Sequence, residues 1–190
     1  RCIAALEELR ILFPDRLTLI EGDALKTDMA SIASKASGPC HIVANLPYNI
    51  ATPLLIGWLR DAGVFASMTL MFQKEVADRL AAAPGNSSYG RLSIITQWLC
   101  DVRCLFDVPP RAFVPAPKVT STVVRLVPRP APLAEAEMAV LERITAAAFG
   151  QRRKMLRSAL RTIADDPETL LVGAGIAPTA RAETLSVEQF

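Results

Sequence analysis

The stretch "HIVANLPYNIATPLL" (residues 41–55) passes from a short apolar segment, through an asparagine and a Leu-Pro-Tyr turn, into a segment with helical spacing. A strand that runs so directly into a helix is half of a βαβ unit. Working outward, upstream residues 16–25, "RLTLIEGDAL", show the β-branched pattern of a strand ending at Gly22-Asp23. Before it, apolar residues recur at helical spacing over 2–12; after it, 28–36 is weakly helical and ends at Gly38-Pro39. Residues 40–45 form the next strand, and 51–63 a helix with Pro53 in its first turn. Downstream follow a strand over 65–73, a helix over 74–83, a loop over 84–90 and a helix over 91–100. This alternation predicts a mostly parallel sheet. Two more strands, 102–108 and 121–127, have no helix between them. They are predicted to pair antiparallel at a sheet edge, joined by the loop "PPRAFVPAPKV".

The composition, 51% apolar with both charge signs, is that of a globular protein, and 190 residues can bury a sizeable core. No apolar run approaches a membrane span, and the first residues do not read as a signal peptide. Cys2, Cys40, Cys100 and Cys104 lack the spacing of a zinc site. Cys100 and Cys104, in an apolar run, are expected to be buried free thiols in a reducing, cytoplasmic setting.

Half of the 14 prolines fall between Pro109 and Pro132, and "PRPAP" (128–132) reads as a stiff linker. The expected division is 1–127, a linker over 128–133, and a helical unit over 134–190. That unit is predicted helical over roughly 134–149, 151–164 and 167–173, with a final helix starting at Ser186. "VGAGIAP" (172–178) follows a helical segment and reads as a turn between helices, not as a phosphate-binding loop.

Net charge is +2, but its distribution is uneven. No acid occurs between Glu142 and Asp165, a span holding Arg143, Arg152, Arg153, Lys154, Arg157 and Arg161. On a helix starting at Gln151, Arg153, Arg157 and Arg161 share one face. That face is either simply solvated or meets the phosphates of an RNA. The absence of acids to pair with favours the RNA.

In an open parallel sheet a ligand binds beyond the carboxyl ends of the strands. The strand ends here carry Asp23 and Asn45. Asp23 can accept from a nucleoside's exocyclic amine, or serve only as a turn residue. Asn-Leu-Pro-Tyr suits one chemistry, methyl transfer to the exocyclic amine of adenine, whose lone pair is delocalised into the ring. The Asn45 amide oxygen and the Leu46 carbonyl can accept from the NH2 and hold the lone pair toward the methyl donor. Pro47 stiffens the turn and removes a competing N–H. Tyr48 can stack on an extracted base.

"NLPYNIATPLL", "MFQKEVADRLAA", "SYGRLSI", "AFVPAPKVTSTVVRL" and "AFGQRRKMLRSAL" occur in this order. Together they make the chain resemble the small-subunit ribosomal RNA adenine N6,N6-dimethyltransferases, from about residue 16 to the last residue. The resemblance implies an α/β fold, a Rossmann-like methyltransferase sheet followed by a small all-α C-terminal domain. It implies S-adenosylmethionine as cofactor and, as substrate, two adjacent adenosines near the 3′ end of small-subunit rRNA in a pre-ribosomal particle. It assigns Asn45, Leu46, Pro47 and Tyr48 to the catalytic loop, and Asp23, with Asn45, to the cofactor. Phe113 matches the family's second aromatic, facing the tyrosine across the target base; the plainer alternative is an apolar pin for a proline-rich loop. The basic residues Arg152, Arg153, Lys154, Arg157 and Arg161 would meet RNA, and the protein is expected to act as a monomer.

One departure is large. The family's glycine-rich loop after the first strand and the acid ending the second have no counterpart, and "RCIAALEELRILFP" matches the helix just after that acid. The sheet is therefore expected to lack its first two strands, the central one included. We expect a fragment of a longer chain, without part of the cofactor site. Two rivals stand beside the leading reading. One is the large-subunit adenine methyltransferase of the macrolide-resistance type, which shares the Asn-(Leu/Ile)-Pro-Tyr loop. The other is a non-catalytic rRNA-binding assembly factor. "FGQRRKMLRSAL" points to the small-subunit group.

Overall fold

A computed structural model describes residues 2–190. The first helix, α1 (Cys2–Leu12), leaves Ile3, Leu6, Leu9, Ile11 and Leu12 exposed. The strand predicted over 16–25 does not form. A strand exists by exchanging backbone hydrogen bonds with a neighbour, and this segment's bonds are local instead, as in Leu17 N–H to the Phe13 carbonyl at 3.1 Å and Lys26 N–H to that of Asp23 at 2.9 Å. No strand of the described sheet pairs with it. Next come α2 (Met29–Ser34), capped by the Asp28 carboxylate accepting from Ser31 N–H at 2.8 Å, and β1 (His41–Asn45).

The chain continues through α3 (Tyr48–Leu59), β2 (Ser67–Gln73), α4 (Lys74–Ala81), α5 (Arg91–Leu99), β3 (Cys100–Val108) and β4 (Ser121–Pro128). The sheet order is β1-β2-β4-β3. Among the described residues only β1 and β2 pair parallel; β4 runs antiparallel to both β2 and β3. The expected mostly parallel sheet is thus mixed here. The unit β1–α3–β2 supplies the crossover a parallel pair requires, whereas a loop, with no intervening helix, joins β3 to β4 and returns the chain antiparallel. That β3–β4 pairing is the one predicted, with β3 at the edge and β4 inside the sheet.

The register aligns Ile42, Met68 and Leu126 in one row and Ala44, Leu70 and Val124 in the next. This face packs on Leu54, Leu55 and Leu59 of α3, Leu80 of α4 and Ile95 of α5. The intervening row, Val43, Thr69, Arg125 and Arg103, lies on the opposite face, where Val43 is 79% exposed. The core therefore lies on one side of the sheet. Cys100 is buried, and burial pushes its thiol up to about 12. Cys104 is exposed, contrary to expectation, because it lies farther along an edge strand.

The proline-rich stretch is strapped along α5. Arg129 N–H donates to the Leu99 carbonyl at 2.8 Å, Leu133 N–H to Trp98 at 3.0 Å, and the Trp98 indole to Ala134 at 2.7 Å. Beyond it stand α6 (Met138–Gly150), α7 (Leu156–Ala159) and α8 (Pro167–Gly173), which enclose an apolar cluster of Ala148, Leu156, Leu160 and Leu171. Another cluster, with Tyr89, Ile94, Trp98, Leu141 and Val187, joins α5 to α6.

Two expectations fail in this region. Residues 151–155 form a turn, not a helix, with Lys154 N–H on the Gln151 carbonyl at 2.8 Å and Met155 extended. Tertiary bonds replace the helical ones. Leu156 N–H donates to Ala180 O at 2.8 Å and Arg157 N–H to Pro178 O at 3.2 Å. The single arginine face over 153–161 therefore does not exist. Nor does a helix start at Ser186. Its N–H is taken by the Gln189 side chain at 2.9 Å, and a turn follows. Of the glycines in 172–178, Gly173 ends α8 and Gly175, at φ 71°, forms the turn that follows it.

Candidate active site

β1 ends at Asn45, on the sheet's carboxyl edge, and α3 begins at Tyr48. The helix thus starts three residues earlier than its spacing suggests, and Pro53 falls in its second turn instead of its first. Pro47 is the N-cap, at φ −59° and ψ 129°. Its ring fixes that φ, so the chain turns from strand to helix within two residues. Leu46 is buried in the core beneath the loop, while Asn45 and Pro47 on either side are exposed. An apolar anchor thus holds the turn from below and leaves the amide outward.

Tyr48 is half-buried, and its Oη lies 2.7 Å from Ser121 Oγ. Ser121 is the first residue of β4 and is fully buried. The register sets it opposite Gln73 and Val108, the last residues of β2 and β3. Phe113 stands on the loop from β3 to β4, just after a 3-10 turn (Pro110–Ala112), with its N–H on the Pro110 carbonyl at 3.1 Å. It is half-buried and belongs to none of the apolar clusters among the described residues. The aromatic pairs among those residues are Tyr89–Phe149 and Phe149–Phe190, so Tyr48 and Phe113 do not close on each other.

Asp23 lies in the irregular segment before α2 and is exposed. Its Oδ1 accepts from Leu25 N–H at 3.0 Å, and its carbonyl accepts from the Thr27 hydroxyl at 3.0 Å. The turn role expected of it is therefore present, and among the described residues Oδ2 takes no hydrogen bond. Among the described residues no hydrogen bond ties Asp23 to the Asn45 loop.

The same edge carries a polar network that sequence reasoning did not single out. Lys74 Nζ donates to Asp107 Oδ2 at 3.0 Å, and the Thr122 hydroxyl donates to Asp107 Oδ1 at 2.7 Å. The Thr122 hydroxyl, and then Lys74, hold the Asp107 carboxyl below the ordinary carboxylate range. The bond to Asp107 in turn raises Lys74. Sequence separation hid the group, since Lys74 and Asp107 are 33 residues apart.

The basic residues lie past α6. Arg152 donates to the Asn86 carbonyl at 3.3 Å, and Arg157 pairs with Glu168 at 3.2 Å. Arg153, Lys154 and Arg161 are exposed and take part in none of the ion pairs among the described residues. The missing acid was thus present on the neighbouring helix. No hydrogen bond or ion pair joins the five basic residues to the Asn45 or Phe113 loops among the described residues.

Compared with known proteins, the chain matches the family described as ribosomal RNA adenine dimethylase over residues 4–190. It is 62% identical, over its whole length, to the ribosomal RNA small subunit methyltransferase A of Rhodospirillum rubrum, and covers 65% of that protein. Its identity to the protein of the same name from Paramagnetospirillum magneticum is 57%, over 66% of that protein. The chain therefore spans about two thirds of the length of these curated relatives. Among solved structures it is similar to a dimethyladenosine transferase from Plasmodium falciparum, with a TM-score of 0.65 and 30% identity over 88% of this chain and 58% of that one. It is also similar to the 23S rRNA methyltransferase ErmE, with a TM-score of 0.64 and 26% identity over 98% and 73%. Both likenesses carry the Rossmann-like methyltransferase fold expected from the sequence.

Proposed function

Because the chain belongs to the ribosomal RNA adenine dimethylase family, we propose that its protein methylates N6 of two adjacent adenosines near the 3′ end of small-subunit rRNA. The methyl donor is S-adenosylmethionine, and the setting is the cytoplasm, on a pre-ribosomal small subunit, with the protein acting as a monomer. The observation that carries this reading is the Asn45–Tyr48 turn, with its amide outward at a strand's carboxyl end and its tyrosine starting the next helix.

Each residue of the turn has a task. Asn45 Oδ1 and the Leu46 carbonyl accept from the target amine and hold its lone pair toward the donor. Pro47 offers no N–H to compete. Tyr48, with Phe113 on the facing loop, stacks on the extracted base. When bound, S-adenosylmethionine supplies the electrophilic methyl group. The uncommitted Asp23 Oδ2 suits the adenine amine of that cofactor, and Asn45 lies at its methyl side. This is a partial fit, since Asp23 and Asn45 address the adenine and the methyl side only. We assign 1–127 to the catalytic unit, 128–133 to the linker and 134–190 to an RNA-binding unit that uses Arg152, Arg153, Lys154, Arg157 and Arg161.

The likeness to ErmE gives the large-subunit reading its support, but at 26% identity it is far weaker than the 62% shared with a small-subunit relative. In the full-length protein, Asn45→Ala should leave subunit binding intact and lower methyl transfer about 10²–10³-fold, the usual effect of deleting a transition-state hydrogen-bond partner. The measurement is tritiated-methyl incorporation into separated small and large subunits that lack the modification. Near-wild-type turnover removes Asn45 from the mechanism. If wild-type protein labels large-subunit rRNA alone, the rival reading holds; if it labels nothing, the non-catalytic one does.

A further inference from the structure

We propose that Ser121 is a positioning residue for methyl transfer, its hydroxyl anchoring the far end of the Tyr48 ring on which the target base stacks. The inference rests on the function proposed above and extends the site to a residue outside the Asn-Leu-Pro-Tyr turn.

The geometry is that of a two-point mount. Tyr48 is the first residue of α3, where Cα is fixed by the helix but the ring turns about χ1 and χ2. A half-buried ring with one face left for a base has few packing contacts to choose among those rotations. The bond from Oη to Ser121 Oγ, at 2.7 Å, ties down the far end of the ring. That distance is the normal optimum for O–H···O. With Cα and Oη both held, χ1 and the long axis of the ring are set. The remaining turn about that axis, χ2, is biased because a phenol oxygen makes its hydrogen bonds near the ring plane, here toward Ser121 Oγ.

Ser121 is suited to be the fixed end. It is fully buried, and Tyr48 is the partner its hydroxyl finds among the described residues. A buried hydroxyl without a partner carries a desolvation penalty, so breaking this bond is unfavourable for Ser121. Ladder pairing on both sides, with Gln73 and Val108, prevents the serine from following the ring. Ser121 is also where the loop bearing Phe113 rejoins the sheet. One residue thus ends the loop of one aromatic and anchors the other, so the gap between the rings is referred to a common point in β4.

The consequence is kinetic. A stacked base inherits its orientation from the ring beneath it, and its amine must meet Asn45. Misplacing reacting groups by about 1 Å lowers a rate by roughly 10²-fold. Freeing a ring that still stacks is a smaller disturbance, and about 10-fold is the expected loss.

The test is a double-mutant cycle in the full-length protein with Ser121→Ala, Tyr48→Phe and both together, plus Ser121→Thr. Single-turnover methyl transfer to undermethylated small subunits is measured at saturating S-adenosylmethionine, beside subunit affinity and melting temperature. Each single variant should slow transfer about 10-fold with unchanged subunit affinity. The double variant should be no slower than either, because both delete the same bond, and Ser121→Thr should restore most of the rate. A purely structural serine would move the melting temperature and leave the cycle additive. Wild-type rate in Ser121→Ala, or losses that multiply in the double variant, overturns the proposal. Should Ser121→Ala fail to fold, Tyr48→Phe decides, since it removes one oxygen and keeps the stacking face; an unchanged rate there is equally fatal. Wild-type protein that transfers no methyl group overturns the function and this role with it. Active wild type beside an equally active Ser121→Ala overturns Ser121 alone.

Discussion

Phe113 stands half-buried on a loop and belongs to none of the apolar clusters among the described residues, so its ring has more to offer a ligand than the core. Phe113→Leu keeps apolar bulk and deletes the π-face. Methyl transfer should slow at least several-fold, the stacking contribution being about 1–3 kcal/mol per base, while thermal melting stays in place. Parallel loss of melting temperature and rate would make the ring a pin for its loop. At this scale the sequence revealed what is local. Asn45 to Tyr48 are consecutive, and chemistry needing an amide, a rigid turn and an aromatic can be read from four letters. Ser121 could not be found that way. It opens a strand 73 residues from Tyr48, and a serine there reads as an ordinary edge residue until the fold brings the two hydroxyls together.

Elements were legible where local pattern and tertiary partners agree. The β1–α3–β2 unit and the β3–β4 pair formed as expected because each carries its own partner in the chain. The segment 16–25 has the letters of a strand but pairs with no strand of the described sheet. The helix expected from 151 gives way because the N–H groups of 156 and 157 bond the carbonyls of 180 and 178 instead. The Lys74–Asp107–Thr122 group ties the start of α4 to the ends of β3 and β4, and its pH dependence follows from the direction of its shifts. Asp107 is lowered on folding, so its contribution is complete above the unfolded value of about 3.9 and is lost as pH falls through the lower folded one. Lys74 is raised, so its share is complete below about 10.4 and is lost as pH rises through the folded value. Asp107→Asn should therefore lower the melting temperature relative to wild type near neutrality. The two melting curves should converge as pH drops below about 4. A constant gap from pH 7 to pH 3 would show that the carboxylate's charge is irrelevant.

At the scale of the molecule, the basic surface lies on the turn after α6 and not on a continuous helix. Arg157 is engaged by Glu168, whereas Arg153 and Lys154 are exposed and outside the ion pairs of the described residues. Replacing Arg153 and Lys154 with glutamine should flatten the slope of log K against log salt for small-subunit binding by somewhat under two, at about 0.7–0.9 per lost phosphate contact. Affinity for S-adenosylmethionine should not change. An unchanged slope in a salt titration would return these residues to mere solvation. The strapped proline stretch and the shared cluster of Tyr89, Trp98 and Leu141 have one more consequence. The chain has two tryptophans, and the fold places them apart. Trp58, on α3, is buried in the sheet's core, while Trp98 is buried at the joint, its indole N–H held by the backbone after the prolines. Each indole senses a different environment, so this chain carries two indole fluorophores, one reporting on the sheet and the other on the seam between α5 and α6.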